Sequence, residues 1–474
     1  MPKRRSRAGL RRVTIAVMRT LVAGGTVVTA SDAYRADVLV DGERVVAVGA
    51  LAGAGVDRVI DATARYVVPG GVDAHTHLDL ATPNGVACDD FATGTAAAAW
   101  GGTTTVVDYA GHDRGEPLLD GLERWRAKAE GKAHIDYGLH MMVKEVTGQV
   151  LADLGRLVDA GVTSVKLFMA YPGVYMVDDG AIYQALCRAR ELGCLVALHA
   201  ENGAVIETLI ARHLSGGMTG PVFHARSRPP VLEGEATSRA ITLAALAGAP
   251  VYIAHLSAAE ALAAVRRARG AGLRVYAETC PQYLFLSEDD LARPGTDGAR
   301  YVCSPPLRPP GHRDELWAGL RRGDLDVVAT DHCPFTTAQK QRGAGDFTRI
   351  PNGLPGVEDR LTLVFQAVLD GRLPLTRWVE VVSTAPAKLF GLYPRKGTVA
   401  PGGDADLVVF DPAAQRTISA RSHHMNVDYS CYEGLRVRGA PEVVMQRGQV
   451  LVEGGAFYGK PGAGQYLSRT APVL

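Results

Sequence analysis

Eight times in the middle of the chain a short apolar run breaks into polar residues and is followed, in most cases, by a stretch of helical period. The runs are RYVVPGGVDAH, TTTVVDYA, IDYGLHMMV, SVKLFMA, LVALHAE, VYIAHLS, RVYAETC and DVVATDH. Between them lie GLERWRAKAEGK, GAIYQALCRARELG, EATSRAITLAALAG, AAEALAAVRRARG and HRDELWAGLRRG, where apolar positions recur every three or four residues. Buried strands alternating with helices predict an α/β fold, a (β/α)8 TIM-like barrel over residues 67–395. In such a barrel the C-terminal strand ends carry the chemistry.

The two ends of the chain have a different pattern. TLVAGGTVVTA, ADVLVDG, RVVAVGA and DRVIDAT near the start, and ADLVVFDP, PEVVMQRG and QVLVEGG near the finish, alternate short β runs with Gly and Pro. The economical arrangement joins them into one smaller β-sandwich domain, residues 19–66 with 396–455, into which the barrel is inserted. Residues 1–18 read as a disordered arm or an over-called start. The Gly-rich tail, residues 456–474, reads as a loose terminus.

Polar residues at the barrel strand ends carry the candidate chemistry. In VVPGGVDAHTHLDL the imidazoles of His75 and His77 are two residues apart, so an extended strand turns both to one side. His199 ends the fifth run, His255 the sixth and Asp331 the eighth. Each alone suits a satisfied core or rim residue. Together they form a set of N and O donors for a divalent metal such as zinc. Lys166 lies within SVKLFMAY, where both strand parities are apolar. Burial would lower its pKa, and carbon dioxide can add to the neutral amine to give a carbamate able to bridge two metal ions. The alternative is a lysine that snorkels to the rim beside Tyr171 or pairs with an acid.

Composition narrows the partners. In 474 residues, 51 Lys and Arg balance 50 Asp and Glu, leaving no field to steer nucleic acid or an anionic membrane. Small molecules, or copies of the chain itself, remain. Seven cysteines without a C-x-x-C pair point to reduced thiols and a cytoplasmic setting. No apolar run approaches the ~20 residues of a membrane span.

From about Arg19 to Tyr466 the chain resembles the cyclic amidohydrolases of the dihydropyrimidinase and hydantoinase family. The motifs are GGVDAHTHLD, DDFATGTAAAAWGGTTTVVDYA, SVKLFMAYPGVYMVDD, LHAEN, AHLS, CSPPLR, TDHCPF and PNGLPGVEDR. The resemblance implies that His75, His77 and Asp331 hold one metal, that His199 and His255 hold a second, and that carboxylated Lys166 (N6-carboxylysine) bridges both. It implies a hydroxide between the metals that attacks the ring, with Asp331 shuttling the proton. Tyr171 would bind the developing oxyanion. Backbone groups at Ser304 and Asn352 would grip the cyclic imide. It also implies a homotetramer or dimer, with the tail reaching a neighbouring subunit.

Relatives that hold a carboxylated ring usually place an arginine soon after the first metal pair. This chain has neither Arg nor Lys between His77 and Arg114, which favours a neutral ring such as a 5,6-dihydropyrimidine or a 5-substituted hydantoin. Allantoin is the alternative ring, and a non-catalytic scaffold the alternative class. Many relatives carry a bulky segment after the first histidine pair, whereas here Leu80 to Gly85 reads LATPNG.

Overall fold

The computed structural model describes residues 18–51, 55–343 and 345–474; of the N-terminal segment read as an arm or over-called start, only Met18 is among them. Eight strands form one parallel sheet in chain order: β1 (Gly71–Thr76), β2 (Thr103–Gly111), β3 (Asp136–Met142), β4 (Ser164–Phe168), β5 (Leu195–His199), β6 (Val251–Ile253), β7 (Val275–Thr279) and β8 (Val327–Val328). Every residue of β1 to β6 is buried. Helices cover one face and barrel-filling side chains the other, which is why these runs lack a polar parity. Local signals set the helix ends: Asp178 caps Asp179–Leu192 by accepting from the Ala181 N–H, and Gly193 ends it at φ +65°.

The barrel closes through one backbone bridge and several side chains where β8 meets β1. His77 N–H donates to His332 O at 2.9 Å. Thr330 donates through its backbone N–H and its hydroxyl to the Asp73 carboxylate, at 3.1 and 2.6 Å. The buried guanidinium of Arg360 donates to the Val72 and Val328 carbonyls at 3.1 and 3.0 Å, so one cation spans both strands.

Both chain ends build a second, nine-stranded mixed sheet. Its halves join where Tyr66–Pro69 pairs antiparallel with Leu407–Thr417. The run RYVVPGGVDAH is therefore divided: its first part belongs to this sheet and its second to the barrel. Gly70 makes the passage possible, because a Cβ there would lie 2.1 Å from Thr104 Oγ1. The sheet curls until Val45 N–H reaches Gly403 O at 3.1 Å and Gly402 N–H reaches Val45 O at 2.8 Å. Val22, Val40, Val45, Leu407, Val409 and Met445 close over one core. The two layers of the expected sandwich are thus halves of a single hydrogen-bonded sheet.

A buried ionic cluster ties this sheet to the barrel. Lys396 Nζ donates to Asp136 at 2.7 Å and to Asp406 at 2.8 Å, and stands 2.9 Å from Asp404. The tail departs from its reading as a loose terminus and lies against the N-terminal end of its own barrel. Tyr137 N–H donates to Gln465 O at 2.9 Å, and Leu467 N–H to Tyr137 O at 2.7 Å. Arg469, 3% exposed, donates to Ser164 Oγ at 2.8 Å and to the Leu139 carbonyl. A guanidinium beneath the strand ends satisfies acceptors that water cannot reach. All seven cysteines are free thiols. No helix among the described residues is long and apolar enough to cross a membrane.

Candidate functional site

The polar residues that interrupt the barrel strands converge at the C-terminal mouth. His75, within β1, and His77, just beyond it, turn to one side, with their Nε2 atoms 3.2 Å apart. Asp331 Oδ1 stands 3.1 Å from each of these nitrogens, and Lys166 Nζ stands 2.9 Å from His75 Nε2. Across the mouth, His199 Nδ1 faces His255 Nε2 at 3.0 Å. Tyr171, His255 and Asp331 have φ of +67°, +36° and +52°, conformations that side-chain-bearing residues rarely adopt and that cluster at functional sites. Local hydrogen bonds hold them: the Tyr171 carbonyl accepts from the N–H groups of Val174, Tyr175 and Met176, each at 3.1 Å.

Neighbouring carboxylates decide which way the imidazoles present their lone pairs. Glu278 takes the Nδ1–H of His75, accepts His255 N–H at 2.9 Å and accepts the Tyr252 hydroxyl at 2.8 Å. Glu201 Oε2 stands 2.8 Å from His199 Nε2. With the outer N–H groups so engaged, His75 Nε2 and His199 Nδ1 turn lone pairs inward. Inward-facing lone pairs and a carboxylate about 3 Å apart repel unless a cation lies among them. Two donors each ~2.0–2.1 Å from one tetrahedral zinc stand roughly 3.3 Å apart, so the donor set fits a divalent ion.

Charge behaves accordingly. Burial pulls the His77 pKa down to about 4 despite Asp331, and burial with Lys166 holds His255 well below its ordinary value. Burial and Lys166 also push His75 down, but Glu278 and Asp331 outweigh them and raise it, a demand for positive charge at that ring. Burial alone would raise Asp331; His75 and His77 hold it well below the usual carboxylate range.

Lys166 is 1% exposed, with its Nζ 4.4 Å from the Tyr109 ring centre and 5.2 Å from that of Phe168. It neither snorkels to the rim nor forms an ion pair with an acid, since its hydrogen-bond partner is His75. Burial lowers its pKa against the opposing pull of Asp331 and Glu278.

Above these groups opens a cavity of about 270 Å³, lined by His77, Lys166, His199, His255 and Asp331 and by Tyr171, Ser304 and Asn352. Its apolar wall includes Leu80, Met142, Phe168, Val174, Ile210 and Phe347. Leu80, Thr82, Pro83 and Asn84 of the unusual LATPNG segment line it too, so that departure lies at the cavity itself.

All the sequence-selected residues therefore meet around one cavity, with His75 directly behind its wall. Glu278 and Glu201 were not singled out. The available signal was a carboxylate at the end of an apolar strand, in RVYAETC and LHAEN. His332, which adjoins Asp331 in the sequence, is structural: its Nε2 lies 3.0 Å from Asp89, and its Nδ1 accepts from Gly356 N–H at 3.1 Å.

Fold and site together define a (β/α)8 barrel with a candidate divalent-metal centre at the C-terminal ends of its strands. The chain belongs to the amidohydrolase family, whose sequence profile matches residues 66–451, and within it to the cyclic amidohydrolases of dihydropyrimidinase and hydantoinase type. It is 53% identical to a D-hydantoinase of Streptomyces coelicolor over 457 residues, 95% of this chain and 98% of that protein. It is 50% identical to a D-hydantoinase of Geobacillus stearothermophilus over 455 residues, 95% of this chain and 97% of that protein. The crystal structure of a dihydropyrimidinase from Brevibacillus agri matches with a TM-score of 0.95 at 50% identity, covering 96% of this chain and 100% of that one.

Proposed function

We propose that the chain hydrolyses a neutral cyclic amide or ureide, a 5,6-dihydropyrimidine or a 5-substituted hydantoin, to the N-carbamoyl amino acid. In this reading His75, His77 and Asp331 would hold one divalent ion, His199 and His255 would hold a second, and Lys166, carboxylated by carbon dioxide, would serve as a ligand to both. Zinc suits these donors. When bound, such ions supply an activated water and polarise the scissile carbonyl.

The chain's own groups do the rest. The ionised Asp331, with its pKa held low by His75 and His77, accepts a proton at its carboxylate and returns it to the leaving ring nitrogen. Burial raises the Tyr171 pKa, so its phenol stays protonated and donates to the developing oxyanion. Backbone groups at Ser304 and Asn352 hold the ring's amide edge, while Leu80, Phe168, Val174 and Ile210 face its substituent. Water adds across one C–N bond, leaving a carboxylate and a ureido group.

The observation that carries this reading is the convergence of His75, His77, Lys166 and Asp331 within about 3 Å at the floor of a small cavity. A complete donor set argues against a non-catalytic scaffold. Free thiols suit a cytoplasmic enzyme, and assembly into a homotetramer or dimer belongs to the same reading.

A panel of hydantoin, dihydrouracil, allantoin and dihydroorotate tests it by ring opening. Turnover of the first two and poor turnover of dihydroorotate is the expected result. A preference for allantoin or dihydroorotate would displace the reading.

A further inference from the structure

Two turns at the cavity are held together by one buried amine that neither the chemistry nor the donor set uses. Lys340, on the short helix Thr337–Gln341, is 0% exposed. Its Nζ donates to Val302 O and to Pro351 O, both at 2.7 Å. Val302 lies two residues before Ser304, and Pro351 lies one before Asn352, so the amine bridges the backbones that lead into both cavity-lining positions. Val302 O also accepts Gly353 N–H at 3.1 Å.

The same turns are fixed from other directions. His224 Nε2 stands 2.9 Å from Cys303 O and 3.1 Å from Ser304 Oγ. Because Arg228 Nη1 donates to His224 Nδ1 at 3.2 Å, the proton of that ring sits on Nε2 and points at the Cys303–Ser304 turn. Gly353, at φ +148°, brings its turn so near Cys333 that a Cβ would lie 2.3 Å from the Cys333 carbonyl oxygen. The separation of the two turns is thus tightly set. Two carbonyl oxygens pointing into one dry space repel, and Lys340 is the donor between them.

We propose that Lys340 is a positioning residue for ring binding: it holds the Val302–Ser304 and Pro351–Gly353 turns at the spacing that lets both meet the amide edge of one small ring. This rests on the proposed function, in which the backbone at Ser304 and Asn352 grips that edge. The amine itself touches no substrate, so the step it controls is binding.

The test compares Lys340→Met with Lys340→Gln, which keeps two N–H donors on a shorter stem. With hydantoin, dihydrouracil and a 5-substituted hydantoin as substrates, Lys340→Met should raise KM roughly tenfold or more. The factor should be the same whatever the substituent, with kcat changed less than about threefold and metal content unaltered. Lys340→Gln should recover part of the loss. A general loosening of the fold would not separate KM from kcat or spare the substituent pocket. Unchanged KM in the Met variant, a fall in kcat alone, or loss of metal from both variants would overturn the role of Lys340 while the ring-opening reading stood. A wild-type chain that opens none of the rings would overturn that reading and this proposal with it.

Discussion

Lys166 Nζ stands 2.9 Å from His75 Nε2, while Glu278 grips the opposite nitrogen of the same ring. The imidazole is thus aimed from behind at the amine it faces. Because Glu278 also accepts the backbone N–H of His255, one carboxylate orients groups on β1 and just beyond β6. Glu278→Gln should weaken metal binding about ten- to a hundredfold, read by competition with a chelator. Wild-type affinity in that variant would mean that His75 needs no such partner.

Tyr171 is held at φ +67°, with its hydroxyl-bearing ring in the cavity beside His199. Tyr171→Phe removes one donor and leaves the backbone turn intact. Steady-state kinetics should show kcat reduced about a hundredfold with metal content unchanged. A loss confined to KM would move Tyr171 from the oxyanion to ground-state binding.

Burial depresses the Lys340 pKa from 10.5 to about 8. Between those values the unfolded chain binds more protons at this position than the native one, so the contribution of Lys340 to stability rises with pH across that interval and is flat below it. The unfolding free energy of wild type relative to Lys340→Met should therefore improve as pH is raised from about 8 to 10, by at most ~1.4 kcal/mol per pH unit. Denaturant titrations at matched ionic strength measure it. A constant or shrinking difference would contradict the shift.

At the opposite end of the barrel, Arg469 donates to Ser164 Oγ, whose oxygen lies 2.6 Å from His140 Nδ1, and His140 Nε2 lies 3.0 Å from Ala74 O. Hydrogen bonds thus run from the tail under β4 and β3 to β1, which carries His75. Arg469→Met should leave buried acceptors unpaired and lower unfolding stability by about 1–3 kcal/mol, seen in the denaturant midpoint. An unshifted midpoint would return the tail to the status of a loose terminus.

Much of this was legible in the sequence because burial on both faces removes polar residues from barrel strands, so the few that remain stand out. His75 and His77 share a parity, and His199, His255 and Asp331 each break an apolar run. The supporting residues gave weaker signals. Glu278 is a single acid in a short strand, and Lys340, Lys396 and Arg469 look like ordinary surface cations until the fold surrounds them with carbonyls and carboxylates. The division of RYVVPGGVDAH was hidden for a related reason: Val67, Val68 and Val72 are equally buried, and only the contact of Gly70 with Thr104 separates two sheets. Long-range partners, such as Gln465 with Tyr137, leave no mark on local periodicity.

The bridging role proposed for Lys166 is tested most directly by metal content per chain. Metal-free protein, prepared without carbon dioxide, is reloaded with zinc in the presence and absence of bicarbonate. About two ions per chain with bicarbonate, clearly fewer without it, and no more than about one in Lys166→Ala under either condition is the expected result. Full loading of Lys166→Ala, or of wild type with carbon dioxide excluded, would contradict it.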